Sequence, residues 1–340
     1  MTWGNGVYRS AGRWRALALA VLALVFGASC ASDAVAPGES GGAERGAGPP
    51  NLAVAYIGIP FGPFGLWTLS RVEYGPKPFT GSHNYVNADS LIAQLNAARS
   101  KGHRLIVAMA GGPPKNYITN GQFDLTKWKN VMNAYNKPAL KTAVAAAVAD
   151  GTIIGDMLVD EPETKQWGTT LNKAVIDEMA VYVKTIFPTI AVGVNHGPPA
   201  YKWKNTETYK KVDYAVYQYA HWVTAGNLTS WKDAVLAQAK RDGVTAAFSI
   251  NVLNGGKQDR DGVYDCIGSE MGGFGTRPPN CNMTPTQIKT WGKALAPLGC
   301  AMLLWEFRAP VYSAAANLSA FTEIATLAAS RPRKSCKRIV

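Results

Sequence analysis

Short apolar runs alternate along the chain with longer stretches in which apolar residues recur every three and four positions. The runs have the length of buried strands, and the stretches have the period of amphipathic helices. This alternation predicts a parallel sheet whose strands are connected by helices. Seven runs are visible: Leu52–Ile59, Arg104–Ala110, Ile153–Val159, Ile190–Val194, Val212–Tyr217, Ala246–Val252 and Cys300–Trp305. An eighth strand is expected within the aromatic, Gly/Pro-rich stretch Phe61–Val86.

Five helices are predicted between these runs. They are Asp89–Lys101, Ala139–Ala149, Leu171–Ile186, Ser230–Asp242 and Thr284–Leu298. Asp89 and Thr284 stand where N-cap residues are expected, because their side-chain oxygens can accept a hydrogen bond from the first helical turn.

Two architectures fit this alternation, a closed eight-stranded barrel and an open, doubly wound sheet. Dinucleotide-binding open sheets carry a GxGxxG motif after the first strand. Here the first strand runs instead into Ile59–Gly65, which is expected to form a rim loop, and the sequence contains no phosphate-loop motif. Residues 51–330 also have the length of one barrel, about 250 residues or more. The prediction is an α/β protein with a single-domain (β/α)8 TIM barrel.

The first thirty residues have the features of an export signal. Arg9, Arg13 and Arg15 precede the uncharged apolar run Ala16–Phe26, which is too short to span a bilayer comfortably. Small residues follow, and Gly27–Cys30 resembles the lipobox of bacterial lipoproteins, with Gly27 in place of the preferred Leu. The resemblance implies a lipid on Cys30, which would hold the exported protein on a membrane surface. The alternative is ordinary cleavage nearby with loss of Cys30, which would give a secreted protein.

The remaining charge distribution argues against a nucleic-acid partner. Residues 31–50 are rich in Gly, Ala, Ser, Pro and Glu and are expected to be a flexible linker. Residues 331–340 form a basic tail that is expected to be a solvated end, with contact to an anionic lipid or polymer as the alternative. The formal charge of the chain is +12, but the signal contributes +3, the linker −2 and the tail +5, which leaves +6 for the body. Its lysines are scattered rather than clustered with aromatic residues.

Four cysteines besides Cys30 predict two disulfides in an exported chain. Cys266–Cys281 would close a Gly/Pro-rich loop and Cys300–Cys336 would fix the tail to the start of a strand, although the other two pairings stay open. The sequence has no CxxC pair and only four His, none at metal-ligand spacing. No metal site and no cofactor are expected.

Candidate site residues lie where the predicted strands end, because barrel enzymes place their functional groups at the carboxyl ends of the strands. These ends are rich in carboxylates, carboxamides and aromatic rings, a mixture suited to holding sugar hydroxyls and stacking on sugar rings. They are Ala110–Gly112, Asp160–Glu163, Asn195, His196, Tyr217, Gln218, Tyr219, Asn251, Trp305 and Glu306.

The most informative strand end is that of Ile153–Val159, an apolar run that stops at Asp160 and Glu161. Acids also favour the first turn of an exposed helix, which is the alternative explanation. At a barrel mouth, however, partial burial would raise the pKa of one carboxyl, as a general acid requires near neutral pH.

At this point the sequence resembles two groups of barrel enzymes. Val159–Pro162 resembles the fourth-strand Asn-Glu-Pro of retaining barrel glycosidases, with Asp in place of Asn, and Leu304–Glu306 resembles their eighth-strand tryptophan platform. Leu105–Gly112 and Val212–Tyr219 resemble the third- and sixth-strand segments of chitinase-type enzymes. The resemblance implies Glu161 as proton donor, Trp305 as sugar platform, and Tyr217 or Tyr219 as a substrate hydrogen-bonding group.

The sequence departs from both patterns. Ser249–Asn254 contains no Glu to serve as the strand-seven nucleophile of the retaining enzymes, and Leu158 and Asp160 replace two acids of the chitinase pattern. Glu306, and after it Asp160, is the candidate second carboxylate. An adjacent Asp-Glu pair also resembles enzymes in which the acetamido group of the substrate attacks.

The resulting hypothesis is an exported glycoside hydrolase that cleaves a polysaccharide or glycan. Its predicted catalytic residues are Glu161, Asp160 and Glu306, and its predicted substrate-binding residues are Trp305, Tyr217, Tyr219, Gln218, Asn195, His196 and Asn251. The alternative is a non-catalytic, carbohydrate-binding barrel lipoprotein. A monomer is expected, with a carbohydrate as partner and membrane contact only through Cys30.

Overall fold

The computed structural model describes residues 57–65, 78–198, 206–221, 227–253, 255–256 and 282–338. Ten strands lie in these ranges, and eight of them form one parallel sheet. In chain order they are β1 (Phe61–Pro63), β2 (Gly81–Tyr85), β3 (Arg104–Ala108), β4 (Ile118–Thr119), β5 (Gln122–Phe123), β6 (Ile153–Asp160), β7 (Val192–His196), β8 (Tyr214–Tyr219), β9 (Thr245–Asn251) and β10 (Met302–Trp305). The pair β4 and β5 forms a separate small hairpin.

The large sheet closes into a barrel. Its strand order is β1-β10-β9-β8-β7-β6-β3-β2, and every pair in it is parallel. The two ends meet where the backbone N–H of Thr80 donates to the carbonyl of Phe61 at 2.9 Å. The predicted single-domain (β/α)8 TIM barrel is confirmed.

Eight helices of the described residues surround the barrel or cross its ends. They are α1 (Leu91–Ser100), α2 (Leu125–Asn133), α3 (Pro138–Asp150), α4 (Lys173–Ile186), α5 (Leu228–Asp242), α6 (Pro285–Leu295), α7 (Ala309–Ser313) and α8 (Ala315–Ala329). All five predicted helices are present, whereas α2, α7 and α8 were not predicted. Thr284 caps α6 in a reciprocal capping box with Gln287, as expected. The N-cap prediction for Asp89 is wrong, because Ser90 occupies that position.

The first strand begins later than the apolar pattern predicts. Residues 52–56 lie outside the described residues, and 57–60 are not in a strand. Instead β1 falls inside Ile59–Gly65, the predicted rim loop, which is a correction. Gly62 permits it, because a Cβ at that position would collide with the carbonyl of Gly81 where β1 and β2 approach. The eighth strand expected in Phe61–Val86 is confirmed as β2.

The carboxyl-terminal tail is solvent-exposed over most of residues 331–338, as expected, and it is also anchored to the barrel. The predicted Cys300–Cys336 disulfide is present, with 5.3 Å between the two Cα atoms. The guanidinium of Arg338 donates to the carbonyl oxygens of Tyr209, Val212 and Asp242 at 2.8–2.9 Å. Cys266–Cys281, the signal (1–30) and the linker (31–50) lie outside the described residues.

Two buried layers position the functional end of the barrel. One fills the space between sheet and helices, and the other fills the barrel interior with side chains such as Ile106, Tyr214 and Leu303. Within the described ranges, no helix combines the length and the apolar character that crossing a bilayer requires.

Candidate active site

Polar side chains from five strands face one another at the carboxyl end of the barrel. Parallel register places Asp160 of β6 beside Asn195 of β7, and Trp305 of β10 beside Asn251 of β9. Trp305 packs against the barrel-interior layer. Side chains alternate along strands, so Gln218 of β8 projects into the barrel while its two tyrosine neighbours project away from it.

Asp160, at the carboxyl end of β6, has a perturbed pKa. Asn195 Nδ2 donates a 2.6 Å hydrogen bond to Asp160 Oδ1. Burial raises the pKa of Asp160 to about 6, the Asn195 hydrogen bond opposes that rise, and the charges of Glu163 and Glu306 add to it. Asp160 is therefore a carboxyl that exchanges its proton in the range used by general acids and bases.

Glu306 reaches the same mouth from β10, four barrel strands away from β6. Its Oε1 lies 2.6 Å from a guanidinium nitrogen of Arg308. Tyr85, at the end of β2, has a raised pKa because of burial and, in addition, the negative charges of Asp160 and Glu306. Asp160 ends β6 and Glu306 directly follows β10, so both carboxylates lie at the carboxyl end of the barrel.

Glu161 lies at the rim beside the end of β7. Its backbone has a φ of 45°, in the left-handed region, and its N–H donates to the carbonyl of Asn195 at 2.8 Å. A Cβ at Gly197 would lie 2.8 Å from Glu161 Oε1 and 3.0 Å from Glu163 Oε1. The carboxyl groups of Glu161 and Glu163 therefore both lie beside Gly197, and Glu161 directly follows Asp160 in the sequence.

His196 lies on the outer side of the barrel wall, where Glu163 orients it. Its Nδ1 is 3.2 Å from Glu163 Oε2, and its Nε2 is 3.3 Å from the hydroxyl of Tyr209. The other carboxyl oxygen of Glu163 accepts a 2.6 Å hydrogen bond from the Gly197 N–H. This arrangement fixes the rim next to Glu161, while Asn195 is the residue of β7 that faces the interior.

The two predicted substrate-binding tyrosines lie in the layer between sheet and helices. Tyr217 stacks on His196 with 5.5 Å between ring centroids, and Tyr219 packs edge-on against Trp231 and Trp291. Their positions give no support to the predicted contact with substrate. The reason is strand parity, because Gln218 between them takes the inward position.

Gln218 and Asn251 form a carboxamide pair in the interior. Asn251 Nδ2 donates to Gln218 Oε1 at 2.9 Å, and Gln218 Nε2 is buried without a hydrogen-bond partner in the described part of the chain. Strand β9 therefore ends in a carboxamide where retaining barrel glycosidases are expected to carry an acid.

A small cleft of about 70 Å³ opens beside Asp160. It is lined by Tyr85, Ala110, Gly111, Asp160 and Trp167, among others. The indole N–H of Trp167 donates to the Asp160 carbonyl at 2.8 Å, which holds the loop after β6 against the cleft. The predicted rim segment Ala110–Gly112 is thus part of this wall.

Three residues of the site were missed in the sequence: Tyr85, Trp167 and Arg308. Tyr85 could not be placed because its strand is short and lies next to a Gly/Pro-rich stretch. Arg308 stands two residues beyond the predicted acid Glu306, and that proximity was the available signal. No group of three or more potential metal ligands occurs among the residues that the structure describes.

Comparisons with known proteins show that this chain resembles some solved structures in fold. No family model and no curated protein sequence matches the chain. Similar solved structures include a glucosidase from Croceicoccus marinus (TM-score 0.46, 11% identity, 79% of this chain and 68% of that one). A GH113 β-mannanase from Alicyclobacillus acidocaldarius has a TM-score of 0.46 and 12% identity over 81% of this chain and 100% of its own. A GH18 chitinase from Flavobacterium johnsoniae has a TM-score of 0.43 and 11% identity over 79% and 94%. These similarities concern the fold alone, and the barrel assignment rests on strand order and register.

Proposed function

We propose that this protein is an exported glycoside hydrolase that cleaves a polysaccharide or glycan at the carboxyl end of its barrel. The supporting observation is that Asp160 ends β6 and Glu306 directly follows β10, two strands that lie opposite each other in the closed eight-stranded barrel. Two carboxyl groups that flank a bond are the usual minimum for glycoside hydrolysis.

Asp160 is the proposed general acid. A proton donor must hold its proton near the working pH, and burial gives Asp160 a pKa of about 6. Glu306 is the proposed opposing carboxylate, with Arg308 favouring its charged form through the 2.6 Å ion pair. Glu161, the proton donor that the sequence motif implies, is one residue away, so the experiment must separate the two.

The remaining interior residues are proposed to bind the sugar. Trp305 offers an aromatic face, and Gln218, Asn195 and Asn251 offer carboxamides to hydroxyl groups. The buried Nε2 of Gln218, which lacks a partner in the described residues, supports this role, because an unmet donor favours a ligand acceptor.

The second candidate is a carbohydrate-binding barrel without catalysis. It is favoured by the Asn251–Gln218 pair at the place where a retaining enzyme requires a nucleophilic acid. In that case the same interior would hold sugar without transforming it. For either function, a signal ending at Cys30 would put the protein outside the cytoplasm on a lipid anchor or in secreted form.

The test compares Asp160→Asn, Glu161→Gln and Glu306→Gln on a glycan panel and on activated aryl glycosides. Loss of the proton donor should lower kcat on natural glycans by about 10²–10⁴-fold. Activity on an aryl glycoside with an acidic leaving group should persist, since that group departs without protonation. Asp160→Asn is expected to show this pattern, and Glu306→Gln is expected to lose both activities.

Glycan affinity by calorimetry provides the control, because each of these near-isosteric variants should still bind. The leaving-group pattern in Glu161→Gln, with Asp160→Asn fully active, would transfer the donor role to Glu161. Binding without product formation by the wild-type protein on the whole panel would reject the hydrolase in favour of the binding protein.

A further inference from the structure

The end of the barrel opposite the carboxylates carries a fixed basic segment. Residues 331–338 cross this end, held by the Cys300–Cys336 disulfide and by the Thr245 hydroxyl, which donates to the Lys337 carbonyl at 2.6 Å. We call this end the basal face, formed by residues 331–338 together with Lys210 and Lys211 before β8. The anchoring gives its cations defined positions on the surface.

The basal face is strongly positive. Residues 331–338 contribute five cations and no acid, and four of these cations are exposed: Arg331, Arg333, Lys334 and Lys337. Lys210 and Lys211 are exposed beside them. Two nearby acids are paired with other cations, since Asp213 lies 2.8 Å from Lys184 and Asp242 lies 2.9 Å from Lys173. Asp177 is in no ion pair of the described residues and accepts hydrogen bonds from the backbone N–H groups of Lys210 and Lys211. The four exposed cations of residues 331–338 pair with no acid in the described part of the chain and therefore retain an unbalanced charge.

A groove of about 330 Å³ separates the basic segment from the barrel. Aliphatic side chains, including Ile153, Ile154 and Ala191, line it together with Arg333 and Lys337, and no acid takes part in its lining. A cationic rim over an aliphatic wall suits a phosphate group attached to an apolar body. Such a group could form charge-assisted hydrogen bonds with the cations.

The chain enters the barrel from the same end. Ile57 is 73% exposed, and the next residue, Gly58, accepts a 3.3 Å hydrogen bond from the buried Arg104 that lines the groove. The described part of the chain therefore begins at the basal face.

We propose that the basal face docks on a membrane rich in anionic phospholipid and directs the open mouth of the barrel away from it. Each Lys or Arg near an anionic surface strengthens binding about fivefold, and the effect fades beyond a Debye length. A basic patch combined with a lipid anchor gives the stable attachment that a single acyl chain lacks. The proposal does not depend on what the mouth binds or cleaves.

Vesicle sedimentation of the full chain tests the proposal. The measured quantity is the ratio of partitioning onto phosphatidylcholine vesicles with 30% phosphatidylglycerol, roughly the charge density of an anionic membrane, to partitioning onto phosphatidylcholine alone. The test variant is Arg331→Gln/Arg333→Gln/Lys337→Gln, whose altered side chains make no hydrogen bond in the described part of the chain. The control, Lys115→Gln/Lys137→Gln/Lys141→Gln, removes the same charge near the mouth.

The wild type and the control are expected to prefer anionic vesicles, and the basal variant is expected to lose about 100-fold of that preference. Any apolar insertion by the N-terminal segment acts equally on all three proteins. The proposal would be overturned if the basal variant and the control gave equal ratios. It would also be overturned if added salt did not lower the ratio of the wild type. Binding of soluble polyphosphate without binding of anionic vesicles would also overturn it, by assigning the face to a soluble polyanion.

Discussion

Asn195 donates its 2.6 Å hydrogen bond to Asp160 across the junction of β7 and β6, and the bond favours the ionised carboxylate. It acts against burial, which is the larger effect and raises the pKa of Asp160 to about 6. The carboxamide of Asn195 therefore limits how far the pKa of the proposed acid rises.

Replacement of Asn195 by alanine should raise the pKa of Asp160 above 6. If the protonated form of Asp160 is the active one, the alkaline limb of kcat/KM should move to higher pH. Asn251→Ala serves as the control, because it removes an interior carboxamide that is hydrogen-bonded to Gln218 rather than to Asp160. A ¹³C titration of the Asp160 carboxyl gives the same information without turnover, and an unshifted titration would contradict the assignment.

Gly197→Ala should impair catalysis with little loss of stability. The new methyl group would lie 2.8 Å from Glu161 Oε1 and 3.0 Å from Glu163 Oε1, so both carboxyl groups must move. These are ends of flexible side chains, and the φ of Gly197 is not in the left-handed region, so the backbone can accept alanine. A displacement of about 1 Å at a site can cost about 100-fold in rate.

Activity and thermal melting should be measured together on Gly197→Ala. We expect a fall in kcat of at least roughly tenfold and a change in Tm of a few degrees at most, about what a loss of 1 kcal/mol causes. A large fall in Tm together with the loss of activity would show that Gly197 is needed for folding. Full activity would show that the positions of Glu161 and Glu163 do not affect catalysis.

The acidic end of β6 could be predicted because the sequence change there is abrupt. An eight-residue, largely apolar strand stops at Asp160, and strand ends of a parallel barrel meet at one face. The placement of Asp160 and Glu306 at the same end of the barrel follows from the same rule. The rule also identified Asn195, which is hydrogen-bonded to Asp160, and the hydrogen-bonded pair Gln218 and Asn251.

The facing of Tyr217 and Tyr219 could not be predicted in the same way. In β8 every residue is buried, so the apolar pattern does not reveal which side faces the interior.

The start of β1 could not be predicted for a different reason. Its three residues lie among Gly and Pro, and it is recognised as a strand only through pairing with β10, which is long-range information.

Asp156 should make the stability of the protein fall as pH rises. Its side chain is 1% exposed on β6, and burial raises its pKa to about 7 although the Met109 N–H donates to it at 3.1 Å. An unfolded Asp has a pKa near 3.9. Between about pH 4 and 7 the folded state keeps a proton that the unfolded state has lost, so the free energy of unfolding decreases through that window.

Asp156→Asn cannot titrate and should remove this contribution. The difference in free energy of unfolding, variant minus wild type, should increase by about 4 kcal/mol between pH 4 and pH 8. Taking the difference cancels opposing contributions such as that of His83, whose pKa burial lowers to about 3. Urea denaturation at several pH values provides the measurement, with the exposed Asp233→Asn as control. A constant difference would mean that Asp156 stays ionised when buried.

The Cys300–Cys336 disulfide should contribute about 2–4 kcal/mol to the free energy of unfolding. It joins residues 36 apart, so in the unfolded chain it closes a loop that would otherwise be free. Cys300→Ser/Cys336→Ser isolates this effect, whereas a reductant would act on every disulfide in the chain. Arg338→Met removes the noncovalent anchor of the same segment and leaves the disulfide in place. If the double serine variant unfolded at the same urea concentration as the wild type, the loop-closure argument would be contradicted. The hydrogen bonds of Arg338 would then suffice to hold the segment, and the disulfide would not restrain the unfolded chain.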